Sequence, residues 1–298
     1  MVSFPALSLV DVGARGGLHP RWRRCGAPVR AIGFDADAAE CERLNRGATG
    51  VRYLPYALGP EDGARTTLHL TRDPGSSSVY PPNEALVRDF PFGAQLTVER
   101  RVPVTVTTLD LVCDREGFAP DAIKLDVQGA ELGILRGAER ALGGALVLET
   151  EVEFQSLYEG QPLFHDVDQH MRARGWLLLG LRRAFWRRFA TSVADGGTLV
   201  HGDALYVHEA RLRGADRATL LKAMVALAAY RQMDYVASLA ARVGEPGAVA
   251  QLAPPRPPWA RVAGALMRRI GSHRQWRTWV DRCCPPQVTD WHDPDEFF

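Results

Sequence analysis

The chain has 298 residues, 46% hydrophobic and 24% charged, enough apolar material to bury a core and too much for a disordered segment. Its 36 basic and 35 acidic residues leave a net charge of +1, which singles out no nucleic-acid partner. Only Lys124 and Lys222 among the basic residues are lysines, a compositional bias that says little about function.

The cysteines Cys25, Cys41, Cys113, Cys283 and Cys284 are scattered and odd in number, with no C-x-x-C pair. Neither a disulfide framework nor a zinc site is expected, and reduced thiols fit a cytoplasmic protein. The apolar stretch Phe4–Val10 is broken by Pro5, lacks a basic leader and runs into Asp11, so it does not read as a signal peptide. The run 176–181 is too short to span a bilayer, and a soluble protein without a membrane span is expected.

Short apolar runs alternate with helical patterns in chain order, which predicts an α/β fold around a mostly parallel sheet. Strands are expected at 7–12, 29–34 and 51–57, with a helix over 37–45 between the last two. Two more strands are expected at 66–70 and 96–106, separated by the Gly/Ser/Pro-rich loop Asp73–Asn83. A buried strand at 123–127 precedes a helix to about Leu142, then a strand at 145–149 and a helix over 164–174. Runs at 176–181 and 199–207 read as the last two strands, possible hairpin partners with the final one antiparallel. Composition changes near 209, where 215–243 reads as a helix pair, 251–258 as a Pro-rich linker and 259–280 as a basic amphipathic helix. The chain is thus divided into a domain 1–208 and a helical C-terminal extension 209–298. The extension is expected to pack on the core, on a second copy of the chain or on a partner enzyme.

Three strand ends carry chemistry. Asp11-Val12-Gly13-Ala14-Arg15-Gly16-Gly17 closes the first strand with glycines that let backbone approach a ligand. It is not the G-x-G-x-x-G dinucleotide pattern, and the acid before its first glycine suits an ammonium better than a pyrophosphate. Asp35 ends the second strand, where an acid can accept both hydroxyls of a ribose, while Asp37 suits the cap of the next helix. Asp126 ends the strand at 123–127, with Gln128 and Gly129 in its exit turn and Glu131 in the following helical turn. Ligands of open parallel sheets bind beyond the carboxyl ends of the strands, so these acids converge on one edge.

The chain resembles the FkbM-type methyltransferase family over about 7–207. The resemblance rests on Asp11-Val12-Gly13-Ala14, Gly33-Phe34-Asp35, Asn45, Ala57-Leu58, Thr107 to Asp110, Lys124 to Glu131, Leu135 to Ala138, and Leu148-Glu149. It implies a Rossmann-like sheet, S-adenosylmethionine (SAM) as methyl donor and O-methylation of a sugar, glycan or natural-product hydroxyl. Arg15 stands where an Asn is more familiar, Asp35-Ala36-Asp37 where Glu-Pro-Asp or Glu-Pro-Asn is usual, and Gln128 where a Glu is common.

SAM is expected to contact Asp11, Gly13, Arg15, Gly17, Asp35, Ala57, Asp126 and Gln128. The base for the hydroxyl proton is expected at Asp126 or at His165, with no metal ion. Ser76 to Ser78 could form a loop over the site, and Tyr158 and Phe164 could wall the acceptor. His201 and Asp203 read as turn residues, and Arg182–Arg188 as a solvated helix face. A nicotinamide-dependent oxidoreductase on the same fold and a non-catalytic scaffold are the alternative readings. The missing dinucleotide motif opposes the first, and the three intact acids oppose the second.

Overall fold

A computed structural model describes residues 1–188 and 197–253. The linker from 254 and the basic helix expected at 259–280 lie outside the described residues. In chain order the chain forms β1 (Leu7–Val12), β2 (Val29–Phe34), α1 (Ala38–Asn45) and β3 (Val51–Leu54). It continues through β4 (Ala57–Leu58), β5 (Arg65–Thr71), a single helical turn α2 (Glu84–Val87) and β6 (Val98–Thr107). Then come α3 (Leu109–Glu116), β7 (Ala122–Leu125), α4 (Glu131–Arg136), α5 (Glu139–Gly144) and β8 (Val147–Glu153). The last elements are α6 (Phe164–Arg172), β9 (Leu177–Trp186), β10 (Thr198–Val207), α7 (Glu209–Arg213), α8 (Arg217–Ala229), α9 (Met233–Val243) and α10 (Gly247–Leu252).

Seven strands form one sheet in the order β3-β2-β1-β7-β8-β10-β9. The contacts β3–β2–β1–β7–β8 are parallel, with Val12 opposite Phe34 and Leu125, and Leu125 opposite Thr150. β10 runs antiparallel between β8 and β9, so the expected hairpin of the last two strands forms. β4, β5 and β6 make a separate three-stranded sheet, with β6 in the middle. The fold is Rossmann-like, mostly parallel, with the last strand antiparallel.

β1 alternates between two cores. Val10 and Val12 face one with Ile32, Phe34, Ile123, Leu125 and Leu148, packed on residues of α3 to α6. Leu7 and Leu9 face the other, with Val147, Leu205 and Val207. That second core is closed by Leu221, Met224 and Leu227 of α8, Leu239 of α9 and Leu252 of α10. α8 buries Leu220, Leu221 and the whole run Ala223–Ala228, so it is apolar nearly all round and must lie inside. Lys222, in the middle of α8, reaches Asp121 at the entry to β7 at 2.9 Å. The boundary drawn at 208/209 therefore coincides with no break in packing. Residues 209–252 supply one covering layer of the sheet.

Two elements outrun their expected lengths. β8 continues to Glu153 through three glutamates on alternate positions, and all seven of its residues are buried. β9 continues to Trp186, so Arg182, Arg183 and Phe185 lie on a strand and not on a helix face.

Candidate active site

The carboxyl ends of β1, β2 and β7 open into a cleft of about 490 Å³. Its lining includes Val12 and Gly13 after β1, Phe34 and Asp35 after β2, and Asp126 and Gln128 after β7. Backbone bonds lock these turns together. Gly13 N–H and Ala14 N–H donate to the Phe34 carbonyl at 2.9 Å, and Asp126 N–H donates to the Val12 carbonyl at 3.0 Å. Gly13 has φ +78°, and a Cβ on it would lie 1.7 Å from the Asp126 carbonyl oxygen. Only a glycine permits that approach. The small sheet walls the cleft with Leu68, Leu70, Val102 and Val104, beside Tyr56 and Ala57. The 73–83 loop adds Ser77 and Ser78, and Ser78 Oγ donates to the Gln128 carbonyl at 2.6 Å.

Asp35 has a side chain only 11% exposed. One carboxylate oxygen accepts the Asp37 N–H at 2.8 Å, and the other lies 3.6 Å from Arg15 Nε. Burial pushes its pKa above the usual value. Asp37 caps α1 by accepting from the Ala39 and Glu40 N–H groups, and Arg15 donates to it at 3.0 Å. That guanidinium holds the Asp37 carboxyl low.

Gln128 sits at φ +61°, a left-handed conformation that is costly with a Cβ and persists where surroundings enforce it. Its amide is fully engaged. Nε2 donates to Asp126 Oδ1 at 3.0 Å and to Glu151 Oε2 at 2.6 Å, and Oε1 lies 3.1 Å from Tyr158 Oη. Glu131 Oε1 accepts the Val127 N–H at 2.7 Å and closes the same turn; burial pushes its pKa up to about 7. Lys124 Nζ lies 3.4 Å from Asp126 Oδ2 and 3.6 Å from Asp11 Oδ1. Burial opposes ionisation of Asp126, but Lys124 and the Gln128 amide outweigh it and hold its pKa below the usual value. No group of three or more His, Cys, Asp or Glu among the described residues is arranged to hold a metal ion.

The FkbM methyltransferase domain model matches residues 11–178, more than half of the chain, from Asp11 in β1 into β9. The chain belongs to the FkbM methyltransferase family. No curated protein matches it. Among solved structures, a TehB-like SAM-dependent methyltransferase from Corynebacterium glutamicum is 13% identical, covering 67% of this chain and 79% of that one, at a TM-score of 0.32. A SAM-dependent methyltransferase from Anabaena variabilis is 10% identical, covering 68% and 77%, at a TM-score of 0.35. Likenesses this small carry nothing about substrate.

Within this FkbM-family chain, Gly13, Arg15, Asp35, Ala57, Asp126 and Gln128 all line the cleft. The other three expected residues do not. Asp11 is 3% exposed and points into the sheet beside Lys124, because alternation along β1 puts it on the face of Leu7 and Leu9. Burial raises its pKa to about 6. Gly17 lies against Leu44 and Tyr53 on a different surface, since the chain has already turned away from the edge. His165 has a side chain 74% exposed, with Asp166 beside it at 3.4 Å. α6 buries Val167 and Met171, which rotates position 165 to solvent. Tyr158 is buried with its hydroxyl toward Gln128, and Phe164 packs on Phe154 at 5.2 Å between ring centroids. Sequence reasoning missed Glu151, and it read His201 as a turn residue although position 201 lies inside the strand expected at 199–207 and observed as β10. Every-second-residue glutamates in β8 were the one signal that could have exposed the first.

Proposed function

We propose that this methyltransferase binds SAM in the carboxyl-edge cleft and transfers its methyl group to a hydroxyl of a sugar, glycan or natural product. The observation that carries the reading is Asp35, a mostly buried acid at the end of β2 with one oxygen left to Arg15 and the cleft. An acid so placed accepts hydrogen bonds from a ribose. The residues fit the cofactor along its length. Asp35 would hold the ribose, with Tyr56 and Ala57 beside the adenine and the turn at Gly13 facing the methionyl part. SAM supplies an activated methyl on a sulfonium, so the chain's own residues position the reactants and take up a proton. Asp126, kept ionised by Lys124, suits the sulfonium better than it suits proton uptake, because a base works best with a pKa near the working pH. Cytoplasmic action agrees with the free, buried Cys25, Cys41 and Cys113. No helix among the described residues is long and apolar enough to cross a membrane.

The test is calorimetry with SAM on the wild type and on Asp35→Ala. Loss of hydrogen bonds to a charged acceptor costs about 1.5–3 kcal/mol, a roughly 10–100-fold weaker Kd. An unchanged Kd in a folded variant would place the ribose elsewhere.

A further inference from the structure

The cofactor reading leaves one pair on the same sheet edge without a role. β10 lies antiparallel to β8 and sets His201 opposite Glu153 and Asp203 opposite Glu151. His201 Nδ1 comes to 3.0 Å from Glu151 Oε1. The other oxygen of Glu151 accepts the Gln128 amide at 2.6 Å, and Gln128 lines the cleft. The imidazole is thus one close contact with Glu151, and one Glu151–Gln128 hydrogen bond, from the cofactor cleft. Glu151 is buried, whereas the His201 side chain is 29% exposed, with its ring edge-on to Trp186 at 5.9 Å between centroids. No hydrogen bond among the described residues engages Nε2. An imidazole held at one nitrogen beside a buried acid leaves its other nitrogen to accept a proton when the ring is neutral. The two bases expected from the sequence are worse placed: Asp126 is bound by Lys124, and His165 stands in solvent.

We propose that His201, oriented by Glu151, accepts the proton of the acceptor hydroxyl during methyl transfer; the proposal rests on the SAM-dependent O-methylation argued above. The O–H bond breaks and its proton moves to Nε2. The oxygen bonds the methyl carbon, and the electron pair of the broken C–S bond stays on sulfur. Glu151, whose pKa burial and the neighbouring acids raise well above the usual value, faces the resulting imidazolium, which then yields its proton to solvent. His201 is the catalytic residue, and Glu151 and Gln128 are positioning residues. The groups facing the imidazole are Glu151 and Glu153 from β8, Asp126 from β7 and Arg182 from β9. Burial lowers the His201 pKa, Asp126 opposes that and Arg182 adds to it, so the ring is neutral near pH 7 and able to accept.

Calorimetry with SAM comes first, and an absence of binding would remove the parent reading itself. If SAM binds, the His201 imidazole, assigned by comparison with His201→Gln, is titrated by NMR in the SAM and S-adenosylhomocysteine complexes. The two differ by the methyl group and its positive charge. A cation within several ångströms should lower the imidazole pKa by about 0.5 unit or more in the SAM complex. Equal pKa values in the two complexes would put His201 away from the methyl group and overturn the proposal. Transfer of labelled methyl to a panel of methyl glycosides supplies the second readout. On whichever is turned over, His201→Gln lowers kcat by about 100-fold or more while Kd for SAM holds. Glu151→Gln lowers kcat less and moves the acid limb of the pH profile. Wild-type kcat in His201→Gln would equally overturn the proposal.

Discussion

Removing everything after residue 208 strips one whole layer from the sheet. The cut exposes Leu7, Leu9, Val147, Leu205 and Val207, each 0% exposed in the full chain. Burying such a side chain contributes about 1.5–3 kcal/mol, so these five alone represent roughly 7–15 kcal/mol. That equals the net stability of a typical domain, about 5–15 kcal/mol. The cut also unpairs Asp121 from Lys222 and takes the Tyr230 hydroxyl from Glu149, leaving a buried carboxylate with Arg21 at 3.5 Å. The shortened chain is therefore expected to be insoluble or molten and to lose SAM binding. Thermal unfolding, near-UV circular dichroism and calorimetry of 1–208 beside the full chain would show it. A soluble 1–208 fragment with a cooperative melt and full-length SAM affinity would refute the packing argument and restore the extension as a separate unit.

Tyr230→Phe removes only the 2.9 Å bond to Glu149 and should cost about 1–3 kcal/mol, read by denaturant titration; no change would mean that Arg21 alone satisfies the carboxylate. Gln128→Glu deletes donors to Asp126 and Glu151 and adds a third carboxylate beside them. Its melting temperature should fall well below wild type at pH 8 and recover toward pH 5, where the new carboxyl is protonated, whereas an equal deficit at both pH values would contradict this. Asp11, with its pKa raised to about 6, binds a proton in the fold at pH values where the unfolded chain has lost it. It therefore contributes stability at low pH that is lost as pH rises from about 4 through 6, on the order of 2–3 kcal/mol. Asp11→Asn should flatten that part of the stability profile, and an unchanged slope would show that other acids set it.

Local pattern was enough for β1, β2 and β7, because strands buried on both faces read as unbroken apolar runs. It also located Gly13, Asp35 and Asp126, since the ends of parallel strands share one edge whatever the loops do. It misread β8, because Glu149, Glu151 and Glu153 look like a strand dissolving into solvent. Two of them find partners from elsewhere in the chain: Tyr230 and Arg21 for Glu149, Gln128 and His201 for Glu151. Burying a charge is costly until it is paired, and no local period records a partner 81 residues away in the chain. The same limit hid the inward turn of Asp11, which β-strand alternation sets once the covering helices choose their face. Composition could show that 215–243 is helical and apolar. Only the tertiary structure decided that α8 lies against β1 and β8, because an apolar helix needs some surface to cover and its sequence does not say which.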